Sequence, residues 1–388
     1  MYANVSARCA TVSTQRNFYF RFLFYVFTLS LFSIAYHIRC SGGTRVSESF
    51  HTILLSGGTG SWGQAATSFL LENTSATIRI YSRSELLQAE MSERFKHNHR
   101  LRFLLGDIRD FARLQLAMDG VDLVMHGAAL KHIDAGEYSP DEFVKTNVNG
   151  TQNVIHACIV SKVKKAIFLS SDKAVSSSSL YGNTKAIAEK LWTRANGYSP
   201  HGTSFVSLRY GNVANSRGSV IPKWENCLFN NLPLPTTNLS MSRFWISLSE
   251  AVRLAWFAAH YGPRGTILVP YLPAYTMADL LKAFCEEHGI ADAIVEDIGV
   301  RPGEKHHEML LTDDESSRVI TYTEDGIMPK YYCIQSASPS WEMVPWQQWP
   351  PEPGSQWQLW TCMERYSSDT WRYRLTVPEL RERLQEGK

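Results

Sequence analysis

The sequence predicts an α/β protein, a doubly wound parallel sheet followed by a smaller C-terminal lobe, and three observations carry that expectation. The apolar run Ile53-Leu54-Leu55-Ser56 enters a glycine-rich turn, Gly57-Gly58-Thr59-Gly60-Ser61-Trp62-Gly63, and a helical pattern follows. From residue 52 to about residue 210, strand-like and helix-like stretches alternate, as a parallel sheet with helices on both faces requires. The apolar stretch Lys165-Ala166-Ile167-Phe168-Leu169-Ser170 precedes a helical pattern that opens at Tyr181 and runs to about Ala195.

The glycine turn comes first in the chain. Glycine allows a tight turn and lets backbone approach a pyrophosphate, while the following helix offers free N–H groups and the positive end of its dipole. A Rossmann-type dinucleotide site is therefore expected, with Gly57, Thr59, Gly60, Ser61, Trp62 and Gly63 as contacts. Thr77-Ile78-Arg79-Ile80-Tyr81 reads as the second strand, followed by Ser82 and Arg83. The end of this strand meets the adenosine ribose. A carboxylate there would bind the free hydroxyls of NAD, whereas a serine and an arginine suit the extra phosphate of NADP. NADP is the expected cofactor. Gly106-Asp107-Ile108-Arg109-Asp110 follows the third strand. His126-Gly127-Ala128-Ala129 ends the fourth with small residues, which puts Ala128 and Ala129 beside the cofactor. Residues 142–162 read as one long helix.

The reactive groups lie between the fifth strand and the next helix. Tyr181 and Lys185, four apart, share a helix face. A lysine cation held there would stabilise a phenolate and bring the tyrosine nearer to use as a base. Ser171 offers a hydroxyl to a substrate oxygen, and Asp172-Lys173 adds a second acid/base pair. Hydride transfer alone needs no such second pair, so the chemistry expected here also makes or breaks a bond to carbon.

Composition sets the bounds. A chain of 388 residues is long enough for one large α/β domain with a further lobe, and a net charge of only +2 gives no sign of nucleic-acid binding. The seven cysteines are scattered with no Cys-x-x-Cys, which argues against a zinc site and suits a reducing compartment. Residues 18–36 are strongly apolar apart from Arg21, and about fifteen uncharged residues in a row fall short of the roughly 20 that span a bilayer. With Arg8, Arg16 and Arg21 on its N-terminal side, this stretch reads as an extension or a membrane anchor. The expected organisation is an extension over 1–50, an NADP-binding domain over 51–210, a substrate lobe over 211–323 and a tail over 324–388. Within the tail, 328–362 is rich in proline and tryptophan and reads as irregular, and 377–385 reads as a helix with Thr376 as its cap and Pro378 in its first turn.

Downstream motifs look like anion and sugar contacts: Arg209-Tyr210-Gly211-Asn212-Val213, Ser216-Arg217-Gly218-Ser219, Ser242-Arg243-Phe244-Trp245, and Arg301-Pro302-Gly303-Glu304-Lys305. Arginine forks suit a diphosphate and a carboxylate suits ribose hydroxyls. Together with Ala128-Ala129-Leu130-Lys131-His132, Lys145-Thr146-Asn147-Val148-Asn149-Gly150, Ser171-Asp172-Lys173-Ala174, Tyr181 with Lys185, and Tyr366-Ser367-Ser368-Asp369-Thr370, these segments resemble the polysaccharide-biosynthesis branch of the extended short-chain dehydrogenase/reductases. Within it the chain is most similar to the short inverting UDP-N-acetylglucosamine 4,6-dehydratases, from about residue 52 to 384.

The resemblance implies a UDP-sugar substrate. Tyr181, helped by Lys185, takes the proton of the sugar 4-hydroxyl while hydride passes to NADP+. Lys173 is the implied base at carbon 5, Asp172 the acid that releases the 6-hydroxyl as water, and Ser171 the holder of the 4-oxygen. It also places Asp107 and Ile108 near the adenine and assigns substrate contacts to Lys131, Asn212, Arg217, Arg243, Arg301 and Glu304. A homo-oligomer in the cytosol is expected, membrane-anchored only if 18–36 is a true anchor. The chain departs from the family at Ser171, where many relatives carry threonine, and over 175–180, which lacks the usual Asn-Pro turn. A nucleotide-sugar 4-epimerase, a retaining 4,6-dehydratase and a non-catalytic NADP-binding protein are the competing readings.

Overall fold

The computed structural model describes residues 50–199, 202–324, 328–337, 345–349, 351–359 and 365–386. The apolar stretch 18–36 lies outside the described residues. Among the described residues no helix is long and apolar enough to cross a membrane.

The chain lays down β1 (Thr52–Ser56), β2 (Thr77–Ser82), β3 (Leu101–Leu105), β4 (Leu123–His126), β5 (Lys165–Leu169) and β6 (Ser204–Leu208). Three short strands follow, β7 (Asn212–Val213), β8 (Leu234–Thr236) and β9 (Ser242–Ile246), before β10 (Ile267–Pro270) returns to the main sheet. In space the parallel part runs β3-β2-β1-β4-β5-β6-β10. Strand order reverses between β1 and β4, and the crevice beyond the carboxyl ends of such strands is where this class of sheet binds ligands. The last four residues of β1 and all of β4 are buried, which is why the sequence shows continuous apolar runs there instead of alternation.

Helices α1 (Ser61–Asn73), α2 (Glu85–Arg94), α3 (Phe111–Met118), α4 (Gly150–Val160) and α5 (Leu180–Arg194) connect the parallel strands. Short polar side chains start three of them: Ser84, Asp110 and Ser179 accept the backbone N–H of Leu87, Arg113 and Gly182. The long helix expected over 142–162 exists with an irregular middle. An α-helical turn at Pro140–Phe143 widens into a π-helical stretch, Val144–Asn149, before α4 resumes the regular pitch. Ile53, Leu55, Ile78 and Ile80 pack on one face of the sheet, and Leu54, Val124, Phe168 and Trp192 on the other.

The C-terminal lobe has its own core, in which Trp224 of α6 (Val220–Phe229) meets Phe284 of α8 (Met277–Glu287) and Leu380 of α9 (Val377–Glu386). Helix α7 (Leu248–Tyr261), begun by a Ser247/Glu250 capping box, packs instead on the main sheet beside α1. The remaining strands are β11 (Ala274–Thr276), β12 (Val295–Asp297), β13 (Met309–Leu311), β14 (Val319–Thr323), β15 (Pro329–Ile334), β16 (Gln356–Leu359) and β17 (Tyr366–Ser367). The stretch expected to be irregular thus supplies two strands. β15 pairs antiparallel with β10 and β14, and β16 covers the outer edge of β14. Tyr322, Tyr331 and Trp357 pack with Phe257 of α7, so a tryptophan of the stretch expected to be irregular helps to hold a sheet extension.

Phe50 already packs edge-on against Trp256 and His260 of α7. A chain beginning at residue 46 is therefore expected to unfold in one cooperative transition and to keep its activity. Calorimetry and an activity assay on the truncated chain check this; a soluble but inactive product would count against it.

Candidate active site

The glycine turn forms a cradle at the switch point. Gly57 has φ +70°, and a Cβ there would lie 2.8 Å from the Ala128 backbone nitrogen, so the loop after β1 touches the loop after β4. Gly60 is the N-cap of α1 and no side chain caps it. The first N–H groups of that helix therefore have no intrahelical partner and face the turn, as a pyrophosphate requires. Two observations, the backbone cradle that a Cβ would fill and the uncapped helix start, fit a dinucleotide.

At the end of β2, Ser82 is buried and its hydroxyl accepts from Gln88 Nε2 at 3.1 Å. The Arg83 side chain is half exposed, with Nη1 3.7 Å from Asp107 Oδ2. Asp107 is bound more tightly by Arg109, at 2.7 Å. Burial pushes the Asp107 carboxyl up, but the Arg109 contacts, and behind them Arg83, hold it below the usual range. Ile108 is buried against the Leu54 side of the sheet.

The reactive groups converge beyond β5. A turn of 3₁₀ helix, Asp172–Ala174, follows Ser171, whose hydroxyl donates to Asp172 Oδ1 at 2.8 Å. Lys173 Nζ donates to the same Oδ1 at 3.1 Å and to Asn212 Oδ1 at 3.1 Å. The other carboxylate oxygen, Oδ2, is buried without a hydrogen-bond partner among the described residues. The start of α5 approaches this turn so closely that a Cβ on Gly182 would lie 2.2 Å from the Lys173 carbonyl oxygen. That approach seats Tyr181 beside Ser171. Burial holds Tyr181 above the ordinary phenol range, with the Lys173 ammonium pulling the other way.

Lys185 shares the helix face with Tyr181, but its Nζ donates to the Leu169 carbonyl at 2.6 Å and lies over the Phe168 ring. A buried ammonium needs a partner, and the end of β5 provides one. Burial pushes Lys185 down to about 8.

Asp172 and Lys173 are shifted in the same direction. Burial, with the nearby Glu308 carboxylate, raises Asp172 against the pull of Lys173. Burial would lower Lys173, but Asp172 and Glu308 outweigh it and hold the ammonium above its ordinary range. The cluster binds protons firmly.

The motifs expected to contact substrate separate into two groups. Arg243 is buried, with Nη2 3.2 Å from Glu304 Oε1. Arg301 grips the same carboxylate through Nε and Nη2 at 3.0 and 2.9 Å. Lys131 Nζ donates to the Arg217 carbonyl at 2.8 Å, and the Arg217 N–H donates to Ser61 Oγ at 2.9 Å, which ties this loop to the cofactor turn. Arg209 belongs to neither group. It is buried against Glu189 and Glu315, so its part of the 209–213 motif faces inward while Asn212 alone reaches Lys173. The serine-rich segment without the Asn-Pro turn is held from outside: Ser178 Oγ donates to the Gly303 carbonyl and Lys305 Nζ to the Val175 carbonyl.

A family model described as polysaccharide biosynthesis protein matches residues 53–329. The chain belongs to the polysaccharide biosynthesis protein family. An inverting UDP-N-acetylglucosamine 4,6-dehydratase of Campylobacter jejuni subsp. jejuni serotype O:23/36 (strain 81-176) is 43% identical to it over 299 residues, covering 75% of this chain and 84% of the relative. A UDP-glucose 4-epimerase of Rickettsia typhi (strain ATCC VR-144 / Wilmington) is 42% identical over 272 residues, covering 69% of this chain and 79% of the relative. The X-ray structure of Pen from Bacillus thuringiensis matches with a TM-score of 0.76 at 36% identity, over 87% of this chain and 98% of that one.

The sequence alone assigns no role to two residues of this polysaccharide biosynthesis protein, Asn147, although its segment is singled out, and Glu308. Asn147, in the π-helical stretch, accepts the Leu130 N–H, donates to the Leu130 carbonyl and donates to Thr184 Oγ1, clamping the loop that carries Lys131 to α5. π-Helical turns are often found at functional sites. Glu308 lies 3.3 Å from Lys173 Nζ. Only its place three residues after Lys305, in a segment already singled out, could have pointed to it.

Proposed function

We propose that this protein is a UDP-N-acetylglucosamine 4,6-dehydratase that inverts carbon 5 and uses NADP without net redox change. The observation that carries the reading is the hydrogen-bonded Ser171-Asp172-Lys173 group facing Tyr181, with Asp172 fully buried at its centre. When bound, the nicotinamide supplies the reversible oxidation that makes carbon 4 a ketone and returns the reducing equivalents to carbon 6. Tyr181 takes the proton of the 4-hydroxyl, and Ser171 holds the 4-oxygen. The ketone acidifies carbon 5, where Lys173 is the base. Asp172, whose free Oδ2 and raised proton affinity suit an acid, protonates the departing 6-oxygen. Arg243 and Arg301, oriented by Glu304, and Arg217 with Lys131 bind the diphosphate side of the substrate.

A 4-epimerase needs only a proton acceptor at the 4-oxygen and the cofactor, and the Asp172–Lys173 pair has no task in it. Turnover in deuterium oxide separates the two. Dehydration is expected to place deuterium at carbon 5 with inverted configuration, read by NMR of the product. A product that keeps the 6-hydroxyl and has exchanged nothing at carbon 5 would establish the epimerase instead, and retention at carbon 5 would overturn inversion.

Preference for NADP rests on Arg83, whose ion-pair partner among the described residues, Asp107, is more tightly engaged by Arg109. Arg83→Asp is expected to weaken NADP by about tenfold or more while leaving NAD little changed, because a charge-assisted contact to the ribose phosphate becomes a repulsion. Calorimetric titration checks this; equal affinity of the wild type for both cofactors would count against it. The catalytic body works in the cytosol as a homo-oligomer in this reading. Light scattering tests the assembly, and sedimentation of the full chain with membranes would favour the anchor.

A further inference from the structure

Behind the catalytic pair lies a carboxylate that the steps above do not use. Glu308, next to β13, is 2% exposed. Its Oε1 is 3.3 Å from Lys173 Nζ and its Oε2 3.0 Å from Lys305 Nζ. Its backbone is fixed independently by the C-terminal segment. The Glu308 N–H donates to Ser368 Oγ at 2.9 Å, and its carbonyl accepts the Ser368 N–H at 2.8 Å. The Ser368 hydroxyl in turn meets Ser242 of β9 at 2.8 Å. The fold thus carries a charge from a distant part of the chain to one side of Lys173 while Asp172 occupies another. Buried ion pairs contribute little net stability, so a role in the chemistry is the better account of this one.

We propose that Glu308 is a positioning residue of the dehydration, holding Lys173 Nζ against Asp172 and keeping their shared proton within the pair across the working pH range. The inference rests on the dehydratase reading of this site. In the step it serves, a proton moves from Lys173 Nζ to the Asp172 carboxylate, breaking N–H and forming O–H. The freed amine lone pair takes the proton from carbon 5. The electrons of that C–H bond form the 5,6 double bond and expel the 6-oxygen, which takes the Asp172 proton and leaves as water. The pair ends as ammonium and carboxylate, as it began. The proton gained by Tyr181 and the one later delivered to carbon 5 balance through solvent.

Lys173 faces Asp172 on its own turn, Tyr181 on α5, Arg243 on β9 and Glu308. Glu308 faces Lys173, Lys305 and Arg243. Without the negative charge of Glu308, the ammonium loses its proton at lower pH. The pair is then emptied, and no acid remains for the 6-oxygen.

Competitive acetylation of Lys173 across pH, read by mass spectrometry on the full chain, reports its protonation whether or not any sugar is turned over. Glu308→Gln is expected to move the labelling curve to lower pH by about one unit or more, a tenfold change in proton affinity. The alkaline limb of the kcat profile should move the same way with KM changed by less than about threefold, and Glu308→Asp should restore most of the shift. Ser368→Ala keeps the carboxylate but loosens its mounting, so it should shift the curve in the same direction by less; it serves if Glu308→Gln does not fold. A labelling curve in the folded variant that superimposes on the wild type overturns the role of Glu308. A wild type that fails to dehydrate UDP-N-acetylglucosamine, with the labelling shift intact, overturns the dehydratase reading and leaves the control of Lys173 by Glu308 standing.

Discussion

Lys173→Ala is expected to stop dehydration while leaving carbon 4 open to oxidation. The variant should show a transient absorbance of reduced nicotinamide on mixing with substrate, and product formation should fall by about 10²–10⁴-fold, the usual worth of a positioned general base. The expectation follows from the separation of tasks in the site. In the proposed mechanism Tyr181 and Ser171 serve the 4-oxygen, while Lys173, paired with Asp172 at 3.1 Å, serves carbon 5. Tyr181→Phe should remove the transient as well as the product, because oxidation itself then lacks its proton acceptor. The alanine variant leaves Asp172 and Glu308 facing each other with Lys305 as the nearest cation, so its melting must be followed alongside its kinetics. A folded Lys173→Ala protein that dehydrates at the wild-type rate would sink the assignment.

Arg209→Ala should be among the most destabilising single changes in the chain, at about 3–5 kcal/mol, because it strands buried carboxylates. The Arg209 guanidinium, at the end of β6, reaches Glu189 on α5 at 2.5 Å and Glu315 at 2.8 Å, and it also donates to the Leu310 carbonyl. It therefore ties the dinucleotide half to the C-terminal lobe. The pH dependence has a definite sign. Burial pushes the Glu315 carboxyl up, but Arg209 and the Thr312 contacts more than offset this and hold it below the usual glutamate range. Its contribution is then complete above the unfolded value of about 4.3 and is lost as pH falls through the lower folded value. Wild-type stability should drop over that acid window, and the Arg209→Ala profile should be flatter there. Urea unfolding at neutral and acid pH reads both effects. A loss below about 1 kcal/mol, the worth of an exposed pair, would show that the triad is not buried as described.

Local signals made the sheet and half of the site legible. The glycine turn, the strand before it and the Tyr181–Lys185 spacing each act over a few residues, so sequence order already encodes their geometry. Other features are tertiary. Glu308 meets Lys173 only because β13 and the C-terminal segment fold back onto the turn after β5. Lys185 sits at the expected spacing, yet its first partner is a carbonyl sixteen residues earlier in the chain, which no helix periodicity reveals. Arg209 looks like an anion ligand until the positions of Glu189 and Glu315 are known. The β15 strand was hidden by its environment: five of its six residues are buried, so the alternation that marks a half-exposed strand is missing.

The wide turn at Val144–Asn149 makes this segment sensitive to length in a way that its composition does not suggest. Each residue of a helix advances the chain by about 100° around its axis. A π-helical turn closes on i→i+5 bonds and so holds one residue more than an α-helical turn. The stretch takes up that residue without rotating α4, and Thr151 still meets the His126 ring nitrogen at 3.1 Å and Asn153 the Ile108 carbonyl at 3.0 Å. Removing one residue would restore the regular pitch with α4 in the same phase. Adding another would turn everything from Gly150 onward by about 100° and break both contacts, so the segment tolerates a loss far better than a gain.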